Sequence, residues 1–288
     1  MGAPMAERIV KAGFETYTTI HRRREPADAL AAMGATVLGS PAEVARAADT
    51  VITIMPADAE LRQTVFGPNG LLEGFSPGKV LIDMTTATPM TLQEVGKALT
   101  GVGVRVLDAP VSGGTTGAVS GTLTIMVGGD PALLEECRPL LQTMGSRIMH
   151  VGPLGQGKAV KIVNQIMAAV NLLVIGEAFA LGVRLGASPE TLYAVVKESS
   201  GYSRMMDARL PNYLLAGSFQ PGFKLDLMKK DVNLGLESAR AQGVPLLLAS
   251  TAAQVFAAAS AAGQGGLDFA AAAQFLADLA GVKLSQAQ

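Results

Sequence analysis

Val104-Arg105-Val106-Leu107-Asp108-Ala109-Pro110-Val111-Ser112-Gly113-Gly114-Thr115-Thr116-Gly117 joins a short apolar run to a glycine-rich turn. Val104 to Leu107 reads as a buried strand, and the turn after it lies where open α/β sheets place their ligand crevice, outside the carboxyl ends of the strands. Toward the N-terminus, Lys79 to Asp83, Thr50 to Met55 and Glu15 to Ile20 read as strands. Helical segments such as Pro26 to Met33 and Pro41 to Ala48 lie between them. Toward the C-terminus, Leu123 to Val127 and Arg147 to His150 add two more strands. Alternation at this spacing predicts right-handed βαβ units and a parallel sheet covered on both faces.

After Gly157 the texture becomes Ala- and Leu-rich with helical periodicity, over Lys158 to about Leu185, Pro189 to Ser199, Asp231 to Gln242 and Pro245 to Ala262. The glycine-rich stretch Val151 to Gly157 marks the boundary, giving an α/β domain over 1–154 and an all-helical domain over 155–288. A helical domain rich in small residues allows close helix packing and is expected to carry a homo-oligomer interface, of a dimer or a tetramer.

Composition narrows the function classes. Of 288 residues 49% are hydrophobic and 16% charged, with a formal net charge of -1, so no bulk attraction to nucleic acid or to an anionic membrane is expected. The most apolar stretch, Ile166 to Val183, contains Asn171 and Glu177 and reads as a buried helix instead of a membrane span. Cys137 is the only cysteine, which excludes an internal disulfide framework. The two histidines, His21 and His150, have no spaced partners, so a histidine metal site is not expected. The absence of an export signal points to the cytoplasm.

Four segments carry polar groups that need a reason. Gly155-Gln156-Gly157-Lys158-Ala159-Val160-Lys161-Ile162-Val163-Asn164-Gln165 places Lys161, Asn164 and Gln165 on one face of an otherwise apolar helix. A partly desolvated lysine there has its ammonium destabilised and becomes a better proton donor to a developing alkoxide. Taken alone, the segment reads as well as a lysine snorkelling to solvent beside two amides. In the glycine turn, Ser112, Gly113 and Gly114 can offer a hydroxyl and backbone amides to a carboxylate, or be an ordinary turn. At the end of the second strand, Arg22 stands within Arg22-Arg23-Arg24, which suits a 2′-phosphate or simply a solvated helix start. The opening Met1-Gly2-Ala3-Pro4-Met5-Ala6 runs straight into a helix, with no strand and no Gly-x-Gly turn ahead of it. In a dinucleotide-binding unit those would seat a pyrophosphate on the helix N-terminus, with Gly2 in the place of the last glycine of such a turn; taken alone, the segment reads rather as an ordinary amphipathic N-terminal helix.

Together and in this order, these segments resemble the β-hydroxyacid dehydrogenase family, which includes 3-hydroxyisobutyrate dehydrogenase, tartronate semialdehyde (2-hydroxy-3-oxopropionate) reductase and relatives of 6-phosphogluconate dehydrogenase. The resemblance spans nearly the whole chain. It is most specific at Asp108 to Gly114, at Gly155 to Asn164, and at Phe223-Lys224-Leu225 with Lys229-Lys230-Asp231. It implies a Rossmann-like doubly wound N-terminal domain, here without its first strand, followed by an all-helical domain for substrate and oligomerisation. It implies Lys161 as the catalytic lysine, Asn164 or Gln165 as substrate contact, and Ser112, Gly113 and Gly114 as the carboxylate site. Met55, Pro56 and Thr86 would line the nicotinamide side, and Phe223, Lys230 and Asp231 would close the cofactor pocket. Gly2 and Arg22 complete the expected cofactor contacts, with NADP preferred over NAD.

The Asn164-Gln165 pair and the strand around Ser120 to Val127 resemble the tartronate semialdehyde reductases most, with 3-hydroxyisobutyrate dehydrogenase as the near alternative. The departure at the N-terminus raises the expectation that about ten residues precede this start. It also keeps a non-catalytic nucleotide-binding module as the reading of another class. An imine reductase is a third reading, against which Lys161 stands.

Overall fold

A computed structural model describes residues 1–21 and 23–285. The chain divides into two compact units, Met1–Lys161 and Ile162–Gln288. In the first, the strands are β1 (Tyr17–Thr19), β2 (Thr36–Leu38), β3 (Thr50–Thr53), β4 (Val80–Asp83), β5 (Arg105–Asp108), β6 (Val111–Ser112), β7 (Leu123–Gly128) and β8 (Gly145–Gly152). The helices of this part are α1 (Gly2–Lys11), α2 (Glu25–Ala32), α3 (Pro41–Ala47), α4 (Asp58–Phe66), α5 (Leu71–Gly74), α6 (Pro89–Thr100), α7 (Gly114–Ser120) and α8 (Pro131–Gln142). α9 (Gln156–Arg184) begins in the first unit and continues into the second.

The main sheet has the order β3-β4-β5-β7-β6, with β8 beside β7. β3, β4 and β5 run parallel, as the alternation predicts. The all-parallel expectation needs correction at β7, which pairs antiparallel with β5 and β6 and parallel with β8. Ala109-Pro110 and the glycine turn bring the chain back through the short strand β6 and the helix α7, so β7 enters the sheet from the opposite end. Thr36–Leu38 also forms a strand, parallel to β1, that periodicity did not single out because it is only three residues long. Among the described residues β1 and β2 form a sheet of their own, separate from the main one.

Helices cover both faces of the main sheet, and the alternation of side chains along each strand says which. Val80 and Ile82 of β4 face a cluster with Leu133, Leu134 and Leu141 of α8 and Met5 of α1. Leu81 between them faces Leu61 and Val65 of α4 and Val95 and Leu99 of α6. β4 is buried along its whole length, which is why its sequence is a continuous apolar run ending in one acid. Helix starts are set locally. Ser40, Thr88 and Asp130 each accept a hydrogen bond from a backbone N–H of the first turn, and each is followed by proline. Glu43 also accepts the Gly39 N–H at 3.0 Å, one residue ahead of the cap.

The second unit is helical throughout, with α10 (Pro189–Lys197), α11 (Arg204–Arg209), α12 (Leu225–Ala241), α13 (Leu247–Ala259) and α14 (Ala271–Leu279) around the rest of α9. α12 starts six positions earlier than the Asp231 expected from periodicity. Leu225 and Met228 lie on the same buried face as Val232, so the apolar stripe begins a turn and a half sooner. Its core joins Leu172, Leu173, Ile175 and Phe179 of α9 to Val232, Phe256 and Ala273. α9 is long and apolar enough to cross a membrane, and 39% of its most apolar window is buried inside the fold. Arg209 stacks on Tyr213 and Phe269 and pairs with the buried Asp268 at 3.1 Å.

Gly176 in α9 packs directly on the backbone of α14, where an added Cβ would come within 2.6 Å of the Ala273 carbonyl. Gly176→Leu is therefore expected to overpack this helix pair by about 1–3 kcal/mol. Thermal unfolding should show a midpoint lower by at least about 3 °C.

Candidate active site

At the carboxyl ends of β3, β4 and β5 the sheet gathers a buried polar cluster. The Asp83 carboxylate accepts hydrogen bonds from the Thr53 and Thr85 hydroxyls at 2.7 and 2.6 Å. Its other oxygen pairs with Lys158 Nζ at 2.6 Å, both side chains being fully buried. Lys158 Nζ also donates to the carbonyls of Asp83 and Thr85, at 2.9 and 2.6 Å. Two opposite charges with most of their hydrogen-bonding capacity met are tolerable in an interior, whereas one alone is not.

Asp108, one strand over, clasps the start of α9. Its carboxylate accepts from the backbone N–H groups of Gly155 and Lys158, both at 2.8 Å. Gly157 explains the glycine spacing of this segment, because an added Cβ would lie 2.5 Å from the Met126 carbonyl and 2.6 Å from Asp108 Oδ2. Burial pushes the Asp108 carboxyl above the ordinary carboxylate range, against the opposing pull of Lys158 and of the Gly155 and Lys158 N–H groups; Asp83 adds to the rise. Sequence reasoning includes Lys158 and Asp108 within its motifs but gives neither a role. An acid ending a wholly apolar strand, as Asp83 does, is the signal that could have found the pair.

Lys161 comes three positions after Lys158 and is buried, 6% exposed. It does not snorkel to solvent. Farther along the same helix, Asn164 Nδ2 donates to Gln165 Oε1 at 3.0 Å. Gln165 Nε2 donates to Asp231 Oδ2 at 2.6 Å, and Lys230 Nζ pairs with Asp231 Oδ1 at 2.8 Å. The expected residues Gln165, Lys230 and Asp231 thus meet in one network of the second unit, joined through Gln165 by Asn164. Phe223 lies edge-on to Phe269, and its N–H donates to Asp268 at 2.9 Å.

Ser112 ends β6, and Gly113 and Gly114 come next with φ of 133° and 62°, a backbone that a side chain would strain. Met55, just after β3, donates its N–H to the Thr85 hydroxyl at 2.9 Å, beside Thr86 in the chain. Pro56 is exposed and Thr86 half-buried. Gly2 opens α1, and its added Cβ would lie 3.2 Å from Ile54, the residue after β3. The first turn of α1 has no side-chain cap and no acidic residue, so its amides and positive dipole end suit an anion. These features fit a nucleotide at the carboxyl ends of parallel strands. Arg22 lies outside the described residues.

The family model for the NAD-binding domain of 6-phosphogluconate dehydrogenase matches residues 1–152, and that for the NAD-binding domain of NADP-dependent 3-hydroxyisobutyrate dehydrogenase matches 155–276. The chain belongs to the β-hydroxyacid dehydrogenase family. It is 37% identical to the 2-(hydroxymethyl)glutarate dehydrogenase of Eubacterium barkeri over 100% of this chain and 95% of that protein. It is 34% identical to the 2-hydroxy-3-oxopropionate reductase of Escherichia coli strain K12, over 99% and 97% respectively. A solved structure of Mycobacterium tuberculosis 3-hydroxyisobutyrate dehydrogenase with L-serine shares 34% identity and superposes with a TM-score of 0.88, covering 96% of this chain and 95% of that one. This β-hydroxyacid dehydrogenase is accordingly an oxidoreductase acting on a CH–OH group, with a nicotinamide cofactor.

Lys158→Met strands the Asp83 charge in the interior and should destabilise the dehydrogenase by about 3–5 kcal/mol. Lys158→Met combined with Asp83→Asn should cost less than the single change, as denaturant titration would show. The raised Asp108 pKa stabilises the fold fully below the unfolded value of about 3.9, and this contribution is lost as pH rises through the folded value. Asp108→Asn should therefore flatten the decline of the unfolding midpoint across the weakly acidic range, even with a lower midpoint throughout.

Proposed function

We propose that the chain reduces tartronate semialdehyde (2-hydroxy-3-oxopropionate) to glycerate, with NADP preferred over NAD, and that Lys161 is the proton donor. The observation that carries this reading is a lysine held buried on a helix whose start is clasped by Asp108, with Asn164 and Gln165 on its next turn. A lysine there can give its proton to an oxygen acquiring negative charge. The nicotinamide, when bound, supplies the hydride. Ser112 and the N–H groups at Gly113 and Gly114 hold the substrate carboxylate, and the Asn164 amide orients the carbonyl oxygen. Met55, Pro56 and Thr86 line the nicotinamide side, Gly2 and Arg22 take the phosphates, and Phe223, Lys230 and Asp231 contact the cofactor. Orientation supplies much of the rate.

A second reading, oxidation of a larger β-hydroxy acid such as 2-(hydroxymethyl)glutarate, is favoured by the 37% identity to the Eubacterium enzyme. The two share one chemistry, a carboxylate near a primary alcohol or its aldehyde, and differ in the room beyond it. Val163, Met167, Val174 and Leu181 form an exposed apolar stripe along α9, which supports a homo-oligomer built on that helix. The helical domain over 155–288 would then serve substrate and assembly.

Steady-state assays against tartronate semialdehyde, 3-hydroxyisobutyrate and 2-(hydroxymethyl)glutarate should give the highest kcat/KM for the first. Lys161→Ala should lower kcat by at least about 100-fold and leave NADPH affinity unchanged. Near-normal turnover in that variant would remove Lys161 from the mechanism. Met167→Glu with Leu181→Glu should lower the mass seen by sedimentation, and an unchanged mass would place the interface elsewhere.

A further inference from the structure

In the parallel pair β3 and β4, each residue of β3 stands opposite the residue 30 positions on, from Thr50 beside Val80 to Thr53 beside Asp83. Side-chain bonds keep that offset beyond the strands. The Thr53 hydroxyl donates to the Asp83 carboxylate at 2.7 Å, and the Met55 N–H to the Thr85 hydroxyl at 2.9 Å. Farther out, the N–H and the hydroxyl of Thr88 both donate to Asp58 Oδ1, at 3.0 and 2.8 Å. Three rungs of one separation thus run from the strand ends, across two loops, to the starts of α4 and α6.

The outermost rung is not what starts either helix. Asp58 is the first residue of α4, which has no side-chain cap, and α6 has its own cap in Thr88, whose hydroxyl oxygen accepts the Thr91 N–H at 3.2 Å. Asp58 Oδ2 is buried with no hydrogen-bond partner, an arrangement that costs stability. A carboxylate kept at that cost and bonded across to a neighbouring loop points to a task at a ligand site. Between the second and third rungs lie Pro56, which is exposed, and Thr86, half-buried between the buried Thr85 and Ala87. They are the accessible parts of these loops at the carboxyl ends of parallel strands, where such a sheet takes its ligand.

We propose that Asp58 is a positioning residue for hydride transfer: by holding Thr88 it keeps the loops after β3 and β4 in the register of their strands, so that Pro56 and Thr86 present one fixed surface to the nicotinamide. This rests on the reading that Met55, Pro56 and Thr86 line the nicotinamide side. Asp58 acts through Thr88 and needs no contact with cofactor or substrate. A displacement of about 1 Å at the reacting atoms can cost on the order of 100-fold in rate, so loosening the loops bears on the hydride step more than on cofactor affinity.

The test follows single turnovers with coenzyme deuterated at the transferred position, using the substrate of highest kcat/KM, in Asp58→Ala, Asp58→Asn and the unaltered enzyme. Asp58→Ala should slow the deuterium-sensitive step at least about tenfold, with the NADPH dissociation constant within about twofold. In the cofactor-free protein it should speed exchange of the Met55 amide at least about tenfold, because the second rung loosens with the third. Asparagine keeps an acceptor oxygen at the same reach, so Asp58→Asn should stay within about twofold of the unaltered enzyme in both rate and exchange. Asp58→Ser, too short to reach Thr88, is read in the same way if Asp58→Ala does not fold. A merely structural role would lower the thermal midpoint and the yield of folded enzyme, and leave the deuterium-sensitive step unchanged per bound coenzyme. That result overturns the proposal, as does a slowed step with Met55 exchange unchanged, or an Asp58→Asn variant as slow as Asp58→Ala. Thr86→Ala separates the two ideas. If it slows the step and Asp58→Ala does not, the clasp alone fails; if only Asp58→Ala slows it, the clasp stands and Thr86 has no place at the nicotinamide.

Discussion

The Asp83–Lys158 ion pair is the constraint around which the candidate site is arranged. Two charges without solvent exposure persist because each is hydrogen-bonded as well as paired, Asp83 through two threonine hydroxyls and Lys158 through two carbonyls. The geometry so fixed is that of the carboxyl ends of β3 and β4 relative to the first turn of α9. Asp108 adds a second clasp from β5, made to backbone N–H groups that no helical carbonyl can reach. The start of α9 is thereby tied to adjacent strands by groups that are costly to separate.

That anchoring gives the rest of the helix its chemical value. Lys161 comes three positions after Lys158 on the same helix and is buried. Two lysines on neighbouring turns of one helix have different tasks. Lys158 is neutralised by a carboxylate and serves geometry, while Lys161 is the proton donor proposed above. Of the two amides, Gln165 donates to Asp231 and Asn164 donates to Gln165.

In the N-terminal part, β1 and β2 pair only with each other among the described residues. β3 belongs to the main sheet, and β1 with β2 stands apart from it among the described residues. Apolar side chains line the space between, and a threonine hydroxyl faces it without a partner. Local folding signals are strong enough to form these strands, each with a parallel partner on one side.

Features that depend on neighbours along the chain were legible in the sequence. The proline-led helix start at Pro41, the continuous apolar run of β4, the glycine turn after β5 and the helical texture beyond Gly157 are all written in short windows, because capping, pleat and helix period are local properties. The family resemblance was legible for the same reason, through the Asp108 to Gly114 and Gly155 to Asn164 segments. It took the folded chain to bring Asp83 and Lys158, far apart in sequence, into mutual neutralisation, to turn β7 antiparallel in the sheet, and to leave the edges of β1 and β3 facing a void. Those outcomes rest on hydrogen bonds and charge pairs between distant segments, whose energies exist only once the backbone has brought them together.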